Sequence, residues 1–255
     1  MKKCQLAAQL YTLRDFMKTP FDVAGSLETV KKIGYDAVQA SGAVGVSAEE
    51  FANLCKKFDL KIIATHEPSG DIFDDPDKAI AHLKTLNCKN TAYPWPHVRP
   101  FTHTGAVLFA KKLNELAEKF AANGCELSYH NHDIEFARLD GELILDIIYR
   151  EAPALKAELD VFWVAAGGQD PVKWINKLAG RQTLLHLKEY GINNTKGGRE
   201  MRAIGDGNLD WDAIISAGEK AGVQYFIVEQ DECNGQSPFS ELARSYKFIS
   251  ERYFK

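Results

Sequence analysis

No stretch of this chain comes near the roughly 20 consecutive apolar residues that a helix needs to cross a bilayer. Its start, Met1-Lys2-Lys3-Cys4-Gln5-Leu6-Ala7-Ala8, is basic, but Gln9 and Arg14 interrupt it before the apolar segment of a signal peptide develops. A membrane is therefore not an expected partner, and a soluble, cytoplasmic protein is the expectation. There is no Cys-x-x-Cys pair among the five cysteines, Cys4, Cys55, Cys88, Cys125 and Cys233. Their odd number and scatter imply neither a disulfide framework nor a thiolate zinc site. They are expected to be small buried apolar residues in a reducing compartment. An excess of one charge is missing too: a formal net charge of -4 over 255 residues leaves no basic footprint, which argues against nucleic acid as a partner. Linkers and low-complexity segments are also lacking. With 45% hydrophobic and 26% charged residues, the chain has the composition of a folded protein able to bury a sizeable core.

What is present is a regular alternation of short β-type runs with helical patterns. Strands are predicted at Leu6 to Leu10, Tyr35 to Gln39, Leu60 to Thr65, Asn90 to Tyr93, from Leu127, at Leu155 to Phe162, Thr183 to Lys188 and Tyr225 to Glu229. Between them lie helices with local start and stop signals. Ser26 to Ile33 ends at Gly34, Ser47-Ala48-Glu49-Glu50 is a capping box that opens a helix through Phe58, and Asp75-Pro76 opens one toward Leu86. Gly105 to Asn123 carries Phe109, Leu113, Leu116 and Phe120 on one stripe; further helices cover Leu143 to Arg150, Asp170-Pro171 through Leu178, Asp210 to Ala221 and Phe239 to Tyr253. Eight such units in about 250 residues are what a (β/α)8 TIM barrel requires, so the fold class is α/β, with residues 1–255 as a single domain. A doubly wound open sheet shares the alternation but usually carries a glycine-rich first turn. Here the first strand runs into Tyr11-Thr12-Leu13-Arg14 instead.

In a TIM barrel the C-terminal strand ends share one mouth, which makes the strand endings the place to look for chemistry. The fifth strand breaks from an apolar run into Tyr129-His130-Asn131-His132-Asp133-Ile134-Glu135, and His130 and His132 share a parity. The sixth strand ends at Asp160, the seventh offers His186 and Lys188 on one side, and the eighth ends at Glu229. Singly, such a residue is more often a hydrogen-bonded loop anchor than a ligand. Together, on four consecutive strands, His130, Asp160, His186 and Glu229 form a mixed nitrogen and carboxylate set suited to one divalent metal ion. Mn²⁺ is the expected ion, with Mg²⁺, Co²⁺ or Zn²⁺ as alternatives.

These motifs, with Leu185-His186-Leu187-Lys188, Val228-Glu229 and the segment Arg202-Ala203-Ile204-Gly205-Asp206-Gly207-Asn208-Leu209-Asp210-Trp211, resemble the xylose isomerase-like TIM barrel family. That family of sugar phosphate isomerases/epimerases also includes inosose dehydratase, hydroxypyruvate isomerase and endonuclease IV. The resemblance implies a metal held by a carboxylate, an Asp, a His and a Glu from strands five to eight. Asp160, His186 and Glu229 match by position, whereas His130 stands where many epimerases have a glutamate. Either His130 binds the metal itself, which is the preferred reading, or Glu135 reaches back to supply the missing carboxylate.

The resulting expectation is a divalent-metal-dependent isomerase or epimerase of a sugar or sugar phosphate. It would abstract a proton next to a carbonyl through a metal-stabilised enediolate. Glu229, with Glu135 or His66 as its partner, would move the proton, and Lys188 would polarise a substrate oxygen. His132, Asn131, Trp95, Trp163, Arg199 and Arg202 are the candidate substrate contacts, the two arginines from a glycine-rich loop, Asn193 to Asn208, after strand seven. The alternative is a metal-dependent lyase or dehydratase on a keto-sugar or inosose, in which an oxygen leaves after the same proton abstraction. An endonuclease IV-like nuclease and a non-catalytic sugar-binding barrel are the remaining readings. The partner is a small-molecule sugar, with neither nucleic acid nor membrane; self-association into a homo-oligomer is left open.

Overall fold

Short side chains that accept hydrogen bonds set where the helices begin. Thr19 accepts from Asp22 N ahead of Pro20 and opens α1 (Pro20–Ile33), and Ser47 accepts from Glu50 N and opens α2 (Ala48–Lys57). Asp75 does the same for α3 (Pro76–Thr85) and Thr102 for α4 (His103–Ala122). Beyond α5 (Ile144–Glu151), Asp170 opens α6 (Pro171–Lys177) and Asp210 opens α7 (Trp211–Ala221); α8 (Pro238–Tyr253) closes the chain. Gly34 ends α1 at φ 127°, and a Cβ there would meet the Tyr246 ring at 2.5 Å, so both backbone and packing demand glycine. The first helix therefore starts earlier than the predicted Ser26, at the Thr19-Pro20 signal.

The chain is described here from a computed structural model covering residues 1–42, 45–99 and 102–255. The eight strands that precede these helices are β1 (Leu6–Gln9), β2 (Ala37–Ala40), β3 (Lys61–His66), β4 (Asn90–Tyr93), β5 (Glu126–His130), β6 (Lys156–Asp160), β7 (Gln182–Leu187) and β8 (Tyr225–Val228). All neighbours pair in parallel, and β8 returns to β1 through Leu6↔Phe226, Ala7↔Ile227 and Ala8↔Val228, closing the barrel. The structure is a TIM barrel, as the alternation of elements predicts. Closure leaves no unpaired edge and points alternate residues of every strand at the axis.

Two apolar regions result. Outward residues such as Leu6, Val38, Leu127, Leu159, Leu185 and Phe226 pack under the helices, including the α4 stripe Phe109, Leu113, Leu116 and Phe120. Inside the barrel, Ala7, Ala37, Ile63, Ala64, Leu184 and Ile227 form a small dry plug. Toward the C-terminal mouth the inward positions turn polar, with buried Gln9, Gln39, His130, Glu158, Asp160, His186 and Glu229. In a layer without room for bulk water, these groups must satisfy one another or a ligand.

Several boundaries differ from expectation for local reasons. The sixth strand stops at Asp160 because its carboxylate accepts from Trp163 N, capping a short helix Val161–Ala166. The first strand stops at Gln9, whose side chain accepts from Tyr11 N and starts a 3-10 turn over Leu10–Phe16. The glycine-rich loop after β7 is an antiparallel hairpin, Glu189–Ile192 with Arg199–Arg202, turned by Gly197 and Gly198 at positive φ. Of the cysteines, Cys55, Cys88 and Cys125 are buried as expected, whereas Cys4 is exposed. Among the described residues, no helix is long and apolar enough to cross a membrane.

The segment after the hairpin is held by one carboxylate. Glu189, fully buried, accepts from Tyr190 N and Leu209 N through Oε1 and from Gly205 N and Trp211 Nε1 through Oε2, at 2.5 to 3.2 Å. A Cβ on Gly207 would meet that carboxylate at 2.5 Å. The Gly-Asp-Gly-Asn-Leu-Asp-Trp run is thus an anchor for α7. Glu189→Ala is expected to lower unfolding stability by about 3 kcal/mol, since it strands several donors. Denaturant unfolding measures this, and a loss below about 1 kcal/mol would show that the loop does not depend on Glu189.

Candidate metal centre at the barrel mouth

The four residues predicted as ligands come together. His130, Asp160, His186 and Glu229 are all buried, and each offers a ligand atom within 4.8 Å of the others. His130 Nε2 and His186 Nδ1 each lie 3.9 Å from Asp160 Oδ2, and His186 Nδ1 lies 3.0 Å from Glu229 Oε2. These separations follow from the ladder: Asp160 on β6 is in register with His186 on β7, and Glu229 follows directly on β8. Lys188, immediately after β7 and two residues beyond His186, lies 3.1 Å from Asp160 Oδ2, 2.8 Å from Glu229 Oε2 and 2.9 Å from Asp231 Oδ2.

Behind this group lies a second one. Glu158, fully buried, has Oε1 2.5 Å from His66 Nε2, 3.1 Å from His186 Nε2 and 3.2 Å from His130 Nδ1, while Oε2 accepts from Gln39 Nε2 at 2.8 Å. His66, His130, Glu158 and His186 form a further constellation of metal-ligating types, sharing two members with the first. Neither Glu158 nor Gln39 stands out when strand ends alone are read. The usable signal was parity, because Glu158 shares the inward face of Asp160, and Gln9 and Gln39 pair across β1 and β2.

The electrostatics follow from burial and these neighbours. Burial, with help from His186, pushes His130 down to about 4, and burial drives His132 far below the usual imidazole range. Burial opposes protonation of His186 as well, yet the carboxylates of Glu158 and Glu229 hold it up at about 10. Glu158 and Glu229 stay well below the ordinary carboxyl value despite burial, through His186 and His66 for the first and Lys188 and His186 for the second. Lys188 is held well above the usual amine value by Asp160, Asp231 and Glu229 against the cost of its burial. Burial raises Asp231 to about 6.

This arrangement fits a divalent cation. Asp160 Oδ2 is buried, paired with the Lys188 ammonium at 3.1 Å but accepting no other hydrogen bond among the described residues, and His130 Nε2 and His186 Nδ1 both face it at 3.9 Å. Asp160, Glu229 and Asp231 crowd around a single lysine ammonium, and Glu158 adds a further carboxylate behind the histidines, so negative charge is in surplus. A cation at His186 Nδ1 would replace a proton on that ring.

The remaining predicted residues divide. A cavity of about 360 Å³ is lined by His66, Trp95, His130, His132, Lys188 and Glu229, among others. His132 sits between Trp95 and Trp163, with ring centroids at 4.7 and 5.1 Å, and His132 Nδ1 and Trp163 Nε1 are buried without partners. Arg199 reaches the same wall, 5.3 Å from the Trp163 ring and 2.6 Å from Asp133 Oδ2. Three others are engaged elsewhere. Asn131 Oδ1 accepts from Asp160 N at 2.9 Å and ties β5 to β6. Arg202 binds Glu200 and the Ile192 and Asp206 carbonyls within the hairpin segment. Glu135 accepts from Tyr129 Oη at 2.8 Å and His132 N at 2.7 Å, and it lines a separate apolar cavity with Ile134, Ile144 and Ile148.

A closed parallel barrel with its polar cluster at the C-terminal mouth defines a TIM-barrel protein with a candidate site at that mouth. The family model described as xylose isomerase-like TIM barrel matches residues 27–249, and the chain belongs to that family. Two solved structures of sugar phosphate isomerase/epimerases from Parabacteroides distasonis ATCC 8503 are similar. One is 20% identical with a TM-score of 0.85, over 100% of this chain and 96% of that one; the other is 24% identical with a TM-score of 0.81, over 98% of each. The probable 3-DHS dehydratase involved in petrobactin synthesis from Bacillus anthracis is 15% identical with a TM-score of 0.72, over 99% of this chain and 100% of that one. At these identities the likeness shows the fold. Among curated protein sequences none matches this chain.

Glu135 yields a pH prediction. Burial raises it from 4.5 to about 7, so between those values the unfolded chain ionises while the folded one keeps its proton, and stability falls as pH rises. Relative to Glu135→Gln, wild-type stability is expected to drop by roughly 3 kcal/mol from pH 4 to pH 8. Parallel pH dependences of the two proteins in urea unfolding would show that Glu135 does not titrate in this way.

Proposed function

We propose that this protein is a divalent-metal-dependent enzyme that isomerises or epimerises a sugar or sugar phosphate by moving a proton next to a carbonyl. The observation that carries this reading is the convergence of His130, Asp160, His186 and Glu229 at a cavity walled by Trp95 and His132. The donor set favours Mn²⁺, with Mg²⁺, Co²⁺ or Zn²⁺ as alternatives; when bound, the ion supplies Lewis-acid polarisation of the substrate oxygens.

The chain's own groups do the rest. Glu229 lines the cavity and is kept ionised by Lys188, which suits it to accept a proton from carbon. Lys188 donates to a substrate oxygen. His66 also lines the cavity; Glu158 at its Nε2 steadies the ring, which is the group placed to return the proton. His132 Nδ1 and Trp163 Nε1 take sugar hydroxyls, and the indoles of Trp95 and Trp163 cover an apolar sugar face. Glu135 lies outside this cavity's lining, so His66 is the preferred partner of Glu229.

One observation favours a second reading. His130 takes the strand-five position where a carboxylate would serve as a second acid/base, leaving imidazoles opposite Glu229. With no second carboxylate at that position, His66, which lines the cavity and is held by Glu158, is the group left to protonate a departing oxygen, which suits a lyase or dehydratase on a keto-sugar, and a dehydratase is among the similar structures.

Calorimetric titration with Mn²⁺ is expected to give about one ion per chain, and Asp160→Asn or His186→Ala should abolish binding while circular dichroism stays unchanged. Undiminished binding in both variants would mean that the ligands are other residues. With a keto-sugar substrate in D₂O, deuterium entering a carbon of the recovered sugar supports isomerisation, and an unsaturated product supports elimination.

A further inference from the structure

We infer that Gln39 and Glu158 are positioning residues that fix which nitrogen of His186 is free to bind the metal. A carboxylate can only accept, so the Gln39 atom 2.8 Å from Glu158 Oε2 must be its NH₂ group. The other end of the amide is then the carbonyl oxygen, and it lies 2.7 Å from His186 Nε2. That nitrogen must therefore carry hydrogen and donate. The lone pair of a neutral His186 is left on Nδ1, the atom facing Asp160 Oδ2 and Glu229 Oε2 at 3.9 and 3.0 Å. The same anion sets a second ring: His66 Nε2, 2.5 Å from Glu158 Oε1, must donate, leaving His66 Nδ1 to face the Gln9 NH₂ at 3.5 Å.

The hydrogen-bond polarity thus runs from His186 through Gln39 to one oxygen of Glu158, and from His66 to the other. All four side chains are inward-facing on β2, β3, β6 and β7, and Gln39, Glu158 and His186 are fully buried, so water cannot substitute for a missing link. Ligand orientation by a partner one bond removed is worth roughly 10–100-fold in metal affinity. Metal affinity rests on the metal reading proposed above; the placement of hydrogen on His186 does not.

Three variants separate polarity from charge and packing. Gln39→Leu keeps every charge but removes the amide link, leaving His186 Nε2 its longer 3.1 Å contact with Glu158 Oε1. Glu158→Gln keeps shape but lets the Gln39 amide turn over and push hydrogen onto His186 Nδ1. The double variant Gln39→Glu, Glu158→Gln restores the direction of every bond, because the carboxylate now on β2 accepts from both neighbours, and the amide now on β6 donates to it while accepting from His66. Mn²⁺ affinity by calorimetry is expected to fall roughly 10–100-fold in each single variant and to return to within a few-fold of wild type in the double. Imidazole ¹H–¹⁵N spectra should show a slowly exchanging Nε2 proton on His186 in the wild type and the double variant, with and without Zn²⁺, its faster exchange in Gln39→Leu and its loss in Glu158→Gln. Full affinity in Gln39→Leu, a double variant no better than Glu158→Gln, or a wild-type His186 without hydrogen on Nε2 would overturn the inference. So would a wild type binding two ions that loses one in Glu158→Gln, since Glu158 would then be a ligand. A wild type that binds no metal yet shows the Nε2 proton would overturn the metal reading and leave the placement standing.

Discussion

A carboxylate sealed inside a parallel barrel constrains everything around it. Glu158 has no exposed surface, and the plug of Ala7, Ala37, Ile63, Ala64, Leu184 and Ile227 lies beside it on the inward faces. An unpaired ion in such a place would cost several kcal/mol, so the surrounding strands must bring it donors. They do: β2 contributes Gln39 and β3 contributes His66, while His186 of β7 approaches on the other side. Closing the barrel and organising the mouth are therefore one event. The strands cannot shift register without turning these donors away, since a one-residue slip reverses the face of every side chain.

Charge balance then shapes the mouth itself. Lys188 touches Asp160, Glu229 and Asp231 within 3.1 Å, which holds it as an ammonium and keeps Glu229 ionised. One lysine does not neutralise that many carboxylates, and the imidazole of His186 is drawn up to about 10 by Glu158 and Glu229. Negative charge is therefore in surplus at the point where His130 and His186 face the carboxylates. Beside it, Trp95, His132 and Trp163 form an aromatic group of mutually tilted rings in which His132 Nδ1 and Trp163 Nε1 are left without partners among the described residues.

How far the sequence can be read depends on the reach of each interaction. Caps such as Thr19, Ser47, Asp75 and Asp170 act over three residues, so helix starts are legible locally, although Ser26 was a less informative marker than Thr19-Pro20. His130, Asp160, His186 and Glu229 are legible because each ends an apolar run at an inward position, and parallel pairing then aligns them. Gln39 is different: its partners Glu158 and His186 are 119 and 147 residues away, and no local pattern announces them. Glu135, Asn131 and Arg202 show the converse. Their neighbourhood in the chain suggested the mouth, but their hydrogen bonds to Tyr129 and His132 N, to Asp160 N, and to Glu200 hold them to other tasks.

The sequence by itself determined the alternation of strand and helix, the number of units and the polar ending of strands five to eight. Those features rest on periodicity of two or 3.6 residues and on caps, which are properties of neighbours in the chain. Only the tertiary structure decided that a buried glutamate stands behind the histidines, that a lysine ammonium shares their carboxylates and that an amide dictates the hydrogen position on His186. Those are consequences of closure. Until β8 pairs with β1 and the axis is sealed from water, no group there is forced to find a partner across the barrel.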